Sequence, residues 1–335
     1  MRVLIVTDAW RPQVNGVVRS LEYMAEHGPA FGAEVAFLTP ERFRSFPMPT
    51  YPEIRLSLAG PEQVARIIAE AAPDHVHIAT EGPLGWSARS ACKGQGRGFT
   101  TSYHTRFPEY LAARLPIPEA CSYALLRRFH REAKAVMVST PSLERELKAR
   151  GFRNMVRWTR GVDTTLFRPR HERVLDCPGP VFLYVGRVAV EKNLPAFLSL
   201  DLPGTKVVVG DGPARQDLER HYGDARFLGA LTGEDLAQVY ASADVFVFPS
   251  LTDTFGIVLL EALASGLPVA AFPVTGPVDV IGASGCGIVD PDLRKAALAA
   301  LEIPKSRCRA YGETFTWNES ARQFFSHIAA ARAAA

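Results

Sequence analysis

Short apolar runs rich in Val, Ile and Phe recur along the chain between longer amphipathic segments. In the first half they are Val3–Thr7, Glu34–Leu38, His75–Ile78, Phe99–Tyr103 and Val136–Ser139. Strands alternating with helices imply a parallel sheet. The pattern restarts after a Pro- and Arg-rich passage around Arg168–Pro180, with Val181–Val185, Lys206–Val209, Val245–Phe248 and Pro268–Phe272. The expectation is an α/β chain with one doubly wound domain over residues 1–168, a second over 169–314, and a closing helix over 315–335 whose Ala-rich end frays. Two such domains facing one another would set the carboxyl ends of both sheets, where these folds bind ligands, on opposite walls of one cleft.

Length agrees with two domains, because 335 residues exceed the range over which one core usually keeps growing. With 47% hydrophobic and 22% charged residues, the composition is that of a folded globular chain. The first strand, ending at Asp8, suits a buried element better than a signal peptide, and no apolar run approaches the roughly 20 residues that span a bilayer. Five scattered cysteines without a CxxC pair suggest neither a zinc site nor a disulfide framework, which fits a reducing cytoplasm. The net charge of +3 is unevenly spread: residues 1–165 hold 22 Lys/Arg against 16 Asp/Glu, and residues 166–335 hold 16 against 19. Ten basic residues meet three acidic ones between Arg127 and Arg160. Such a stretch is either a solvated helix face or a patch for phosphate, nucleic acid or an anionic membrane.

The strongest chemical segment follows the strand Asp244–Pro249 and reads Ser250-Leu-Thr-Asp-Thr-Phe-Gly-Ile-Val-Leu-Leu-Glu261. A helix opening over Phe255–Ser265 would turn its free N–H groups toward a diphosphate, with Gly256 allowing close approach and Thr254, Phe255, Ile257 and Val258 around it. Asp253 is placed to accept from sugar hydroxyls and Glu261 to hold a ribose diol. The alternatives are that Asp253 caps the helix and Glu261 pairs with a basic neighbour. After the first strand of the second half, Tyr184-Val-Gly-Arg-Val-Ala-Val-Glu-Lys-Asn193 sets Arg187 and Lys192 five residues apart just past Gly186, where two cations would neutralise a leaving diphosphate. Gly210-Asp-Gly-Pro213, including Gly212, repeats the strand-then-glycine pattern. In the first half, Asn15-Gly16 lies between strand and helix and would bring N–H groups to the phosphates. It is not a GxGxxG fingerprint, so a nicotinamide dinucleotide receives little support. His104 ends the strand before Thr105-Arg106-Phe107, either as a satisfied structural histidine or as a hydrogen-bonding group to a sugar.

Taken together, the Asn15-Gly16 loop, His104, the Arg187/Lys192 pair and the Asp253-to-Glu261 spacing resemble retaining glycosyltransferase family four, over essentially the whole chain. The resemblance implies the GT-B fold of two facing Rossmann-like domains, with Phe315-Thr-Trp-Asn-Glu319 opening a helix that crosses back to the first. It further implies that Arg187 and Lys192 stabilise the departing nucleoside diphosphate, Asp253 binds donor sugar hydroxyls, Glu261 binds ribose and His104 contacts the donor sugar, with no metal or other cofactor. In one departure, the first acid of the motif is usually Glu and is here Asp253, shorter by one methylene. The Thr252–Gly256 and Pro273–Pro277 neighbourhoods resemble family members acting on diacylglycerol. That likeness implies a UDP-sugar donor, a diacylglycerol or other lipid acceptor and no nucleic acid. A GDP-mannose-dependent mannosyltransferase acting on a lipid-linked or soluble glycan is the alternative. Attachment to the inner face of the cell membrane would use Arg127, Arg128, Arg131 and Lys134 beside Leu125, Leu126 and Phe129, together with Phe43 and Phe46 in the Arg42–Met48 loop. A core helix would carry the same pattern.

Overall fold

Fourteen strands lie among the residues described by the computed structural model, which are 1–13, 15–48, 51–112 and 118–333. They are β1 Arg2–Val6, β2 Glu34–Leu38, β3 Ser45–Met48, β4 Tyr51–Ser57, β5 His75–Ile78, β6 Phe99–Tyr103, β7 Val136–Val138 and β8 Met155–Arg157 in the first half. The second half adds β9 Val181–Val185, β10 Thr205–Val209, β11 Arg226–Gly229, β12 Val245–Phe248, β13 Val269–Ala271 and β14 Gly287–Val289. Two six-stranded sheets result, ordered β2-β1-β5-β6-β7-β8 and β11-β10-β9-β12-β13-β14, and every pairing in them is parallel. The apolar runs of the sequence are the inner strands and one edge strand, β2. Those it did not signal as strands, β8, β11 and β14, are edges, and β3 and β4 form a small antiparallel pair. An edge strand is covered less completely, so it needs fewer apolar residues and leaves a weaker pattern.

The chain divides into two compact units. One comprises Met1–Arg160 with Trp317–Ala335, and the other Gly161–Thr316. The first boundary thus lies before the one expected at 168/169. Val162 and Phe167 are 5% and 1% exposed and pack into the core of the second unit, which draws their segment with them. The closing helix, Trp317–Ala333, belongs to the first unit.

In the second unit both faces of the sheet are covered. Along β9 the side chains of Val181, Leu183 and Val185 enter one core cluster, and those of Phe182 and Tyr184 the other, as strand alternation requires. The first unit has polar residues inside its sheet. His75 and His77 on β5 face Thr100 and Ser102 on β6. The Thr100 hydroxyl lies 3.0 Å from His75 Nε2 and 2.9 Å from His77 Nδ1, and Ser102 Oγ lies 3.0 Å from His77 Nε2. Those bonds are what makes their burial tolerable. The closing helix seals this region. Phe324 packs 4.8 Å from the Trp158 ring and 4.9 Å from that of His77, Trp158 Nε1 donates to Ser320 Oγ at 3.0 Å, and Trp317 stacks on Tyr23 at 4.2 Å.

Helix starts are marked by the chemistry that satisfies free N–H groups. Asn15 Oδ1 accepts from Val17 and Val18 N–H, and Pro61, Pro83 and Pro141 occupy first turns. One cap is long-range. Asp8, at the end of β1, accepts from the N–H groups of Leu84 and Gly85 at 2.8 and 3.1 Å and from the Thr80 hydroxyl at 2.9 Å. Burial nonetheless raises its pKa above the usual carboxylate value. No helix among the described residues is long and apolar enough to cross a membrane.

The buried histidines set an acid limit on stability. Burial lowers His75 from 6.5 to about 4 and His77 to about 3. Above pH 6.5 both are neutral whether folded or unfolded. As pH falls from 6.5 toward 4 and then 3, only the unfolded chain takes up protons, so stability is lost through that window, on the order of 3 kcal/mol for His75. Urea unfolding followed from about pH 7 to pH 4 should show a falling midpoint, with a shallower fall in His75→Gln.

Candidate active site

Three strands of the second unit end in loops that converge: β9 at Gly186, β10 at Gly210-Asp-Gly212 and β12 at Pro249. The β9 and β10 loops are tied through Gly186 N–H to Val209 O at 3.0 Å and Val188 N–H to Asp211 O at 2.9 Å. Gly212 is required there, since a Cβ would stand 2.4 Å from Val188 O. The turn carrying Arg187 is pinned by Tyr184, whose hydroxyl donates to Arg187 O at 2.9 Å. Arg187 itself is half-buried.

The residues around Lys192 are stitched to those around Asp253, 61 positions later. Asn193 Nδ2 donates to Pro249 O at 3.2 Å and Thr252 Oγ1 to Glu191 O at 3.4 Å. Between these two ties Lys192 Nζ lies 2.7 and 2.8 Å from the two oxygens of Asp253, both side chains being 18% exposed. Lys192 therefore has Asp253 as its partner, and Asp253 is not a helix cap. The helix runs Ile257–Ala264, a shorter span than Phe255–Ser265, and Gly256 holds its N-cap position with φ +84° and no side-chain cap. A side chain at Gly256 would carry that left-handed strain and press its Cβ to 3.1 Å from Leu259. The first turn at Ile257 and Val258 follows directly on the buried Thr254 and Phe255. One turn further, Glu261 is 2% exposed and accepts from the Tyr240 hydroxyl at 3.0 Å. Tyr240 was not singled out from sequence, because on the buried face of the helix Gly233–Ser242 it reads as core.

In the first unit, His104 follows β6 and is 9% exposed. Arg160, three residues past β8, places Nη2 3.0 Å from His104 Nδ1. Burial and this guanidinium, with His77 and His130 nearby, hold the imidazole well below its usual range. Arg160 escaped the sequence reading because it sits at the end of a run of basic residues that look alike. Asn15 and Gly16 start the helix Gly16–His27. Asn15 Oδ1 caps that helix, accepting from the Val17 and Val18 N–H groups at 3.0 Å each.

The expected membrane residues divide. Leu126 and Phe129 are 3% and 0% exposed, so the apolar face of the helix Glu119–His130 is core, and Phe43 packs partly buried against the same core. Arg127, Arg128, Arg131 and Lys134 are exposed, as are Leu125 at 50% and Phe46 at 45%. No group of three or more His, Cys, Asp or Glu that could hold a metal ion occurs among the described residues.

Comparison with known proteins agrees with the two parallel sheets. Residues 14–166 match the model for "Glycosyltransferase Family 4", and residues 179–303 match that for "Glycosyl transferases group 1". The chain is 36% identical over 258 residues to the sulfoquinovosyl transferase SQD2 of Arabidopsis thaliana, covering 71% of this chain and 50% of that protein; it spans only about half the length of this relative. It is 33% identical over 317 residues to a GDP-mannose-dependent alpha-mannosyltransferase of Mycobacterium tuberculosis, covering 87% of this chain and 84% of that one. Among solved structures, a sucrose-phosphate synthase from Thermosynechococcus elongatus shares the fold with a TM-score of 0.81 over the full length of both chains, at 20% identity. The fold is α/β of the GT-B class, with two Rossmann-like parallel sheets. The chain belongs to the family 4 glycosyltransferases, enzymes that use a nucleotide-sugar donor and a glycosyl acceptor.

Proposed function

We propose that the protein moves a hexose from a UDP-sugar to the free hydroxyl of diacylglycerol, with retention of the α configuration and without a metal. The observation that carries this reading is the Lys192–Asp253 pair, formed by the loop that also holds Arg187, and the helix start at Gly256, an N-cap residue that makes no side-chain cap bond. In the free protein the ammonium and the carboxylate hold one another, a partly buried pair worth on the order of 1 kcal/mol. A bound donor offers each a better partner: the diphosphate takes Lys192 and a sugar hydroxyl takes Asp253. One methylene shorter than the usual Glu, Asp253 reads a hydroxyl close to the loop. As the bond from C1 to the leaving phosphate oxygen breaks, negative charge grows on the diphosphate, where Arg187, Lys192 and the N–H groups of Ile257 and Val258 meet it. The acceptor oxygen bonds C1 from the same face and its proton passes to the leaving phosphate. Glu261, braced by Tyr240, takes the ribose diol, and His104 meets the transferred sugar.

The likeness to a sulfoquinovosyl transferase and the exposed cations of the first unit favour a lipid acceptor at an anionic surface. In this reading the protein works on the cytoplasmic face of the cell membrane, with Arg127, Arg128, Arg131 and Lys134 on the headgroups and Phe46 dipping below them. The mycobacterial relative favours a second reading, a GDP-mannose donor on the same site.

Arg187→Ala should lower turnover on the order of a hundredfold while weakening UDP-sugar binding far less; equal effects on both would contradict its role on the leaving group. Incubation with UDP- and GDP-sugars and diacylglycerol in mixed micelles, read by mass spectrometry of the lipid phase, should yield a monoglycosyl lipid with a UDP-sugar. A product formed only with GDP-mannose would replace the first reading by the second. In flotation with anionic liposomes the protein should rise with the vesicles at low salt and remain behind at high salt, and indifference to lipid charge would refute the interfacial role.

A further inference from the structure

We infer that Arg160 is a positioning residue that fixes the tautomer of His104, leaving its imidazole as a hydrogen-bond donor through Nε2 to an oxygen of the transferred sugar. The inference rests on the reading that His104 meets that sugar, and adds the residue that determines how. β6, β7 and β8 are successive neighbours in the first sheet, so His104 and Arg160 emerge at the same carboxyl edge with β7 between them. The guanidinium has little freedom. Nη1 donates to Trp158 O at 2.7 Å and to Thr159 O at 3.1 Å, and its carbon lies 4.2 Å above the Trp158 ring. That ring meets His104 edge-on at 5.5 Å, and its own nitrogen is held by Ser320. Arg160 is 5% exposed, and every one of these partners belongs to the first unit.

A guanidinium has donors and no acceptor, so the Nδ1 it addresses must offer a lone pair. A neutral imidazole has one ring proton, which is then on Nε2. A second proton on Nδ1 would point an N–H at the guanidinium and set two buried cations together. Burial lowers Arg160 to about 9, which still leaves it charged at neutral pH. Among the described residues, His77 and His130 also act on His104. A fixed Nε2–H reads an oxygen lone pair and turns that hydroxyl's own proton elsewhere, which sets the orientation of the sugar as well as its presence.

The test uses the full chain labelled with 15N-histidine, His104 being assigned by its loss in His104→Ala. Long-range 15N–1H spectra of the wild type should show one neutral Nε2–H tautomer from about pH 8 to about pH 5. In Arg160→Met the tautomers should mix and the ring titrate toward 6.5, whereas Arg160→Lys, which keeps a charged donor, should restore much of the wild-type state. Arg160→Met should lower kcat on the order of tenfold with a smaller change in KM for the nucleotide-sugar, and should cost nothing further in a His104→Ala background. An Nδ1–H tautomer or an imidazolium in the wild type, an unchanged tautomer in Arg160→Met, or an undiminished loss in the His104→Ala background would each overturn the proposal. Should Arg160→Met fail to fold, the wild-type and Arg160→Lys spectra still decide it. If His104→Ala keeps full turnover, the sugar-contacting role fails, while the spectra separately decide what Arg160 does to the ring.

Discussion

Burial of both faces of a parallel sheet is the constraint on which the rest of this molecule depends. A strand such as Val181–Val185, with its side chains divided between two apolar clusters, has no face on which to carry chemistry. Polar and charged residues are therefore gathered at its carboxyl end, where the chain must turn and where neighbouring strands turn with it. Gly186, Arg187 and Lys192 follow one such end, Gly210–Gly212 the next, and Asp253 and Gly256 a third. Adjacent parallel strands point the same way, so loops far apart in sequence become neighbours. That is why Lys192 and Asp253 can lie 2.7 Å apart.

The first unit obeys the same constraint less strictly, and its exceptions are instructive. His75, His77, Thr100 and Ser102 lie within the sheet, and are tolerated because each makes a hydrogen bond to another of the group across β5 and β6. Arg160 is a buried cation met by two carbonyl oxygens, an imidazole nitrogen and an indole face. Burial among such partners keeps His75 and His77 neutral at neutral pH. The helix Trp317–Ala333 supports this from outside. Phe324 covers His77 and Trp158, and Ser320 holds the indole on which Arg160 rests, so the end of the chain helps to define the centre of its first unit.

Much of this was legible in the sequence. Inner strands were visible because full burial demands unbroken apolar runs, and the loops after them because charged residues and glycines interrupt those runs at the strand ends. Edge strands β8, β11 and β14 were not visible, since partial cover demands little of their sequence. The boundary after Arg160 escaped because Val162 and Phe167 could have entered either core, and only packing shows which. Tyr240 behind Glu261 and Arg160 behind His104 were hidden for a related reason. A residue that braces a buried polar side chain is selected by where it lies in space, and nothing in its local spacing marks it.

By itself, then, the sequence determined the α/β class, the two repeats of the strand-and-helix pattern and the residue types at the strand ends, because burial and backbone geometry act on local stretches of chain. Tertiary structure alone decided the partners. It paired Lys192 with Asp253, turned Asn15 into a cap, gave Phe129 to the core while leaving Arg127 and Arg128 in solvent, and set a guanidinium against His104. Those outcomes depend on which loops a parallel sheet brings side by side and on which side chains lose their water, and both are properties of the packed molecule.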